Sequence, residues 1–401
     1  GLAAVQSASA KQHHRHLEIP PTCYDVWAPA VLQRDPAKTD TVVYRCGWQD
    51  LGACGGLADR VRGLLGSFAA AALSGRAFRI DMPELNSVNP ANPVWWRPAQ
   101  NGSIDDTVST NVQVDAHPRD FTNAARMLAQ FPCGTPMEAM LWCAVNATGL
   151  LRPDAAFLAR RRIAVLDETG TRTEHVVGEL LARLSRDDAI VIGLHWRDGD
   201  PNVLAEHPEV APPSNAVLRK RAQHMAQDHE SHVPVKTREA VRALAEQHRD
   251  AEHPTATAVV VHCVLATNSV RERHAFAAWA TRDAGCDRTI VLALDSMPHL
   301  DKIAENRSRA ALATEAALVD LLLLARADHF FAWALPPVRA DAVAFQRMYQ
   351  NLHFSGFSTL AYLARTTPAR RPALYSIYNG APIAVNAILN THWGSGRPRK
   401  C

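Results

Sequence analysis

The chain has 401 residues, enough for two domains with their own cores. A hydrophobic fraction of 47% and a charged fraction of 21% exclude a disordered chain. The formal charge of +3 is too small at this length to make nucleic acid a partner, and no apolar run reaches the roughly 18 residues of a membrane helix. Residues 1–40 are polar, rich in His and Pro and without periodicity, so they read as an extended arm in which His13, His14 and His16 are either simply solvated or hold a metal ion. Residues 41–46 form a strand candidate that runs into a turn-rich loop carrying Gly52, Gly55 and Gly56. Leu57, Val61, Leu64, Leu65, Phe68 and Ala72 then recur at helical spacing over 57–73, and the next strand candidate is 77–81. Strand, glycine loop, helix and strand open an α/β domain. Residues 83–120 are loop-like and contain Trp95 and Trp96, which either stack on a sugar or base or plug the loop onto the core. Helices are expected around 122–130, 136–143, 153–160 and 175–184.

At 189–194 a short, continuous Ile- and Val-rich run predicts a buried parallel strand. It ends abruptly in His195, Trp196, Arg197, Asp198, Gly199 and Asp200. Parallel sheets bind ligands at the carboxyl ends of their strands, and an arginine there offers phosphate a planar fork of donors. The segment is therefore either a nucleotide site or a solvated surface turn. Residues 201–233 are polar and Pro-rich and suggest an excursion or lid. The remaining expected elements are helix 237–247, strand 256–266, helix 270–282, strand 289–294, helix 308–324, helix 359–365 and strand 374–377. The repeating βα units from residue 187 onward predict a second Rossmann-like domain. The expected organisation is thus an arm over 1–40, one Rossmann-like domain over 41–186 and another over 187–401.

Polar turns follow predicted strands or open helices at 195–200, 267–269 and 355–358. Ser269, Ser355 and Ser358 are each suited to cap a helix, and the exposed amides of a helix start also bind phosphate. No P-loop, dinucleotide fingerprint, nucleophile elbow or His-Glu-x-x-His sequence is present. Asp198 and Asp200 are spaced to hold a divalent ion, but Arg197 beside them acts against that and better serves as the cation facing a diphosphate.

The eight cysteines include no Cys-x-x-Cys pair, which argues against a zinc ribbon. Their even number, with sequons at Asn101, Asn146 and Asn306, favours a secretory-pathway lumen over the cytosol. Local bridges Cys46–Cys54 and Cys133–Cys143 are the expected pairs. The chain begins at Gly1, and an upstream membrane anchor is a further expectation.

Four places in the chain resemble the fucosyltransferase superfamily, which includes the α1,6-, α1,2-, plant cell-wall and protein O-fucosyltransferases. The stretch from Gly55 and Gly56 through Asp59 and Arg60 to Leu64, with Arg76 to Asp81 after it, is similar to the N-terminal glycine loop, helix and strand. The segment from Ile192 to Asp200 is similar to the first donor motif, whose arginine contacts the diphosphate. Val264 to Ser269 resembles a motif usually read as Ala-Thr-Asp. Asp320 and Ala327 to Phe330, together with Ser355 to Ala361, resemble the closing donor motif. The chain departs from the pattern at Asp198, where some members have a second basic residue, and at Asn268, which replaces an acid. Leu335, Pro336 and Pro337 stand where a serine turn would often come, so that turn is either displaced to Ser355 by an insertion or lost.

The resemblance implies a GT-B fold of two Rossmann-like domains facing a central cleft, with the acceptor on the N-terminal domain and the nucleotide sugar on the C-terminal one. It implies an inverting, metal-independent glycosyltransferase that moves fucose from GDP-fucose to a glycan or glycoprotein in the Golgi, with no further cofactor. The implied donor contacts are His195, Arg197, Asp200, Thr267, Asn268, Ser269, Asp320, Ser355, Gly356, Phe357 and Ser358. Arg197 is the catalytic cation, and Asp59 and Asp50, near the glycine loop, are the candidate bases. Two alternatives stay open: a transferase using another nucleotide sugar, and a noncatalytic relative that binds glycans or partners.

Overall fold

The computed structural model describes residues 41–45, 57, 58, 61, 77–81, 153, 155–167, 169–196, 233–250, 259–294, 307–335, 353–364, 372–377 and 379–383. Near the N-terminus, β1 (Thr41–Arg45) and β2 (Ala77–Asp81) pair in parallel, Thr41 opposite Ala77. Between them Leu57, Ala58 and Val61 are helical and buried, the spacing the sequence predicts for that helix.

The main body is a seven-stranded sheet in the order β11-β8-β5-β6-β7-β3-β4. Its strands are β3 (Arg162–Leu166), β4 (Arg172–Val176), β5 (Ala189–Trp196), β6 (Val260–Thr267), β7 (Arg288–Leu292), β8 (His329–Ala332) and β11 (Ala373–Ser376). The five strands from β11 to β7 are parallel, whereas β3 is antiparallel to β7 and to β4. The sheet therefore draws in residues 162–176, which precede position 187. In chain order the parallel strands lie 3-2-1-4-5, the order of a Rossmann half, with β5 as strand 1.

Helices α1 (Ala155–Arg160), α2 (Val177–Leu184), α3 (Val235–Asp250), α4 (Val270–Arg282), α5 (Arg307–Leu324) and α6 (Gly356–Leu363) accompany the sheet. Every residue of β5 except Ile190 is buried, as a central parallel strand covered on both faces requires. Ile192, Leu194 and Trp196 share one core with Val261, Cys263 and Leu265 of β6, Val241 and Leu244 of α3, and Phe276 and Trp279 of α4. Alternation sends Val191, Gly193 and His195 to the other face. There Gly193 lets α5 approach closely: a Cβ on it would meet Leu324 Cδ2 at 3.2 Å and Ala327 Cβ at 2.8 Å.

Cys263 of β6 and Cys286, just before β7, form a disulfide with Cα atoms 5.9 Å apart. The sequence carries no signal for this pair, whose partners lie 23 residues apart. The expected pairs Cys46–Cys54 and Cys133–Cys143 lie outside the described residues, as do the sequons at Asn101, Asn146 and Asn306.

Candidate functional site

The strand order itself marks a place. Connections leave β5 toward β6 on one side, while β8 lies on its other side, so the chain reverses direction between β5 and β8. Outside the carboxyl ends of two such strands a crevice opens, and open α/β sheets bind ligands there. Two residues end β5: His195 and Trp196. Trp333 follows the last residue of β8.

From Trp333 the chain forms β9 (Ala334–Leu335), and it returns as β10 (His353–Phe354), paired antiparallel with β9. The Ser355 amide then donates to the Trp333 carbonyl at 2.9 Å. The return thus delivers the serine segment to the end of β8 although residues 336–352 intervene in sequence. Ser355 caps α6, its Oγ accepting from the Phe357 amide at 3.2 Å. The helix begins at Gly356, so Ser358 stands in its first turn and not in an open turn ahead of it. Capping falls to Ser355 alone, which leaves the Ser358 side chain available inward.

Ser358 Oγ accepts from the Trp333 amide at 3.1 Å and lies 2.7 Å from His195 Nδ1. The Phe357 ring lies against the His195 ring, centroids 4.9 Å apart and tilted by 49°. Ser358 is buried and so is His195. One connected unit therefore spans the switch point: His195 from β5, the Trp333 backbone from β8, and Ser358 and Phe357 from α6.

The neighbouring strand ends level with β5, since Trp196 is in register with Thr267. Ser269 caps α4, accepting from the Glu272 amide at 3.2 Å. The spacing Ser269-x-x-Glu272 is that of a capping box. Here the Glu272 carboxylate accepts instead from the Val233 amide at 3.0 Å, and the Ser269 amide donates to Thr267 Oγ1 at 3.2 Å. The hydroxyls of Thr267 and Ser269 thus shape the start of α4, whose first amides face the strand ends. Asn268 is partly exposed between them.

Asp320 lies elsewhere. It is buried in α5, with Oδ2 3.7 Å from Nη2 of Arg273, a fully buried side chain of α4. Arg273 also donates to the carbonyls of Thr267 and Leu292, the last residues of β6 and β7. Burial pushes the Asp320 carboxyl up to about 7, against the pull of Arg273, and the same burial lowers the guanidinium of Arg273. Asp320 is therefore brought to the underside of the strand ends, and only through Arg273.

The structure thus brings His195, Ser355, Gly356, Phe357 and Ser358 together at the switch point and sets Thr267, Asn268 and Ser269 one strand away. Arg197 and Asp200 follow Trp196 in the chain but lie outside the described residues, as do Asp50 and Asp59. Sequence reasoning missed Glu272, Arg273 and Trp333. The capping-box spacing is a signal for the first. For Arg273 and Trp333 there is none, because their role lies in backbone atoms of distant residues.

No family model matches the chain, and no curated protein does. Among solved structures, the chain is similar to NodZ alpha-1,6-fucosyltransferase soaked with GDP-fucose, at 14% identity over 84% of this chain and 94% of that one, with a TM-score of 0.34. It is similar to the Se-Met fucosyltransferase NodZ from Bradyrhizobium at 13% identity over 86% and 97%, with a TM-score of 0.30. For NodZ alpha-1,6-fucosyltransferase co-crystallized with GDP the values are 14%, 80%, 91% and 0.27.

Proposed function

We propose that the protein is an inverting glycosyltransferase whose donor is a nucleoside diphosphate sugar, GDP-fucose first among them. The observation that supports this reading best is the buried unit of His195, Ser358 and Trp333 at the switch point between β5 and β8. Arg197 follows it after one residue, and the starts of α4 and α6 adjoin it.

In this reading residues 187–401 hold the donor and residues 41–186 the acceptor, across a cleft between two Rossmann-like domains. The acceptor hydroxyl attacks the anomeric carbon from the face opposite the diphosphate. The C–O bond to the diphosphate breaks, and its charge grows on the leaving oxygen. Arg197 and helix-start amides oppose that charge and act without a metal ion. Asp200 and Asn268 belong to the rim that contacts the nucleotide, and Asp59 takes the acceptor proton. The acceptor is a glycan or glycoprotein, met in the lumen of the Golgi.

Titration of the full chain with GDP, UDP and ADP, followed by GDP-fucose with glycan acceptors, tests the proposal. GDP preferred and fucose transferred supports it. Preference for another nucleotide moves the donor assignment. Binding of none leaves the noncatalytic reading, in which Asn268 at the position of an acid is a loss of function.

A further inference from the structure

The two edges of the seven-stranded sheet are finished differently. At β11 the chain folds back on the strand: the Ser376 amide donates to the Ala381 carbonyl and the Ile383 amide to the Leu374 carbonyl, each at 2.8 Å. At the opposite edge stands β4, whose strand neighbour among the described residues is β3. The ladder between β3 and β4 is closed at one end by the Asp167 amide donating to the Thr171 carbonyl at 3.0 Å. At the other end the Val177 amide donates to the Arg161 carbonyl at 2.9 Å. Bonded and non-bonded pairs alternate along an antiparallel ladder, so Thr173 and His175 turn their backbone groups toward β3. Arg172, Glu174 and Val176 turn theirs outward. Arg172, Thr173 and Glu174 are exposed.

We propose that β4 pairs antiparallel with β4 of a second copy of the chain, about a two-fold axis through Thr173, so that the sheets of two molecules join edge to edge. A two-fold pairing makes backbone bonds only where outward residues face outward residues, which leaves Thr173, Glu174 and His175 as centres. A centre at Glu174 sets that carboxylate against its own copy. A centre at His175 sets Glu174 against Val176 and leaves Arg172 beyond the strand. A centre at Thr173 sets Arg172 opposite Glu174 on both sides of the axis, with the two Thr173 side chains facing each other. Opposite charges directly across a ladder support it, and like charges oppose it. Charges on an edge strand usually guard it against pairing; these guard against the other registers and match in this one. The patch is small beside a stable interface of about 1,200–2,000 Å², so the dimer is weak and forms as concentration rises. The pairing does not depend on which nucleotide the protein binds.

Sedimentation equilibrium of the full chain over a range of concentrations tests the pairing, with the melting temperature as the control for folding. The wild type should pass from monomer to dimer as concentration rises, and a monomer throughout overturns the proposal. Arg172→Glu makes both opposed positions acidic, and Glu174→Arg makes both basic. Each variant alone should associate roughly tenfold more weakly than wild type, or worse. Both changes fall on exposed side chains and should leave the melting temperature where it was. Mixed in equal amounts, the two variants should form a heterodimer about as readily as wild type forms its dimer, because acid then meets base at both positions. Self-association of either variant at wild-type strength, or a mixture that stays monomeric, overturns the pairing. Glu174→Pro removes an outward N–H and none of the bonds to β3, and it should also abolish the dimer. A dimer that survives this change uses another surface and overturns the proposal as well.

Discussion

Arg273 and Asp320 meet in the interior with Nη2 and Oδ2 3.7 Å apart, one from α4 and the other from α5. The contact joins two helices that pack on opposite faces of the sheet, and Arg273 also donates through Nη1 and Nη2 to the carbonyls that end β7 and β6. Breaking a buried pair from one side is far more damaging than never having it. Arg273→Leu should therefore cost about 3–5 kcal/mol in urea unfolding. Asp320→Asn keeps the shape but also breaks the pair from one side, leaving the buried Arg273 charge uncompensated, and should cost a comparable amount. A loss below about 1 kcal/mol for Arg273→Leu, the range of an exposed pair, would show that the pair is not closed off from water.

His262 in β6 is buried, and its pKa is pushed down to about 4 by that burial first and then by Arg183, with Asp287 pulling the other way. The folded value lies below the ordinary 6.5. The stability it contributes is present above 6.5 and is lost as pH falls toward 4, because the unfolded chain takes up the proton first. The wild type should lose about 3 kcal/mol over this window from His262 alone, by the conversion of pKa into free energy. His262→Gln should flatten the acid limb by a comparable amount when unfolding is followed at several pH values. Identical limbs in the two proteins would show that His262 charges equally well in the folded chain.

Gly193 is a second test of packing. Its missing Cβ makes room for Ala327 and Leu324, and a methyl group must displace one of them or the strand. Gly193→Ala should destabilise by about 1–3 kcal/mol, the usual cost of overpacking. Because Gly193 lies two residues before His195, nucleotide affinity should fall with it. An unchanged melting temperature would place α5 further from β5.

Arg197→Ala should act on function and not on the fold. Charge-assisted bonds are worth about 1.5–3 kcal/mol, and donors aimed at transition-state charge about 2.7–4 kcal/mol. Turnover should fall by at least about 100-fold. Arg197→Lys should recover part of it, since an ammonium keeps the charge and loses the fork. Turnover and GDP affinity at wild-type values, in a protein that melts like wild type, would remove Arg197 from the proposed site.

Thiol counting on unreduced, denatured protein addresses the cysteines. At least Cys263 and Cys286 should be unreactive. Their loop supports a contribution of about 3 kcal/mol in the chain-entropy account, so Cys263→Ala with Cys286→Ala should lower stability by that order. Eight reactive thiols would count against a lumenal protein.

Where periodicity was strong, the sequence read well. The apolar run predicts β5 at 189–194 and the strand spans Ala189–Trp196, and α4 spans Val270–Arg282 as its cap and amphipathic pattern predict. The failures have local causes. The pattern over 175–184 predicts one helix, yet His175 and Val176 end strand β4, and α2 starts at Val177. Arg-Thr-Glu-His-Val is a polar edge strand, held by its register with β3 and not by its own pattern. In sequence the region 355–358 reads as a turn, because Ser355 and Ser358 are equally good caps in isolation. Only the Trp333 amide and the His195 ring distinguish them, and both are remote in sequence. The pair of Arg273 with Asp320 was illegible for the same reason: a buried charge is identified by its partner, 47 positions away in the chain.

The pairing of β9 with β10 separates two properties that a loop usually ties together. Its two strands fix the exit from β8 and the entry to α6 against each other, with Ser355 bonded to the Trp333 carbonyl. The covalent path from Leu335 to His353 is long, so proximity in sequence does not hold the serine segment at the end of β8; the short ladder and the Ser355–Trp333 bond do. Weakening that ladder would therefore move the start of α6 as a unit, cap and Ser358 together.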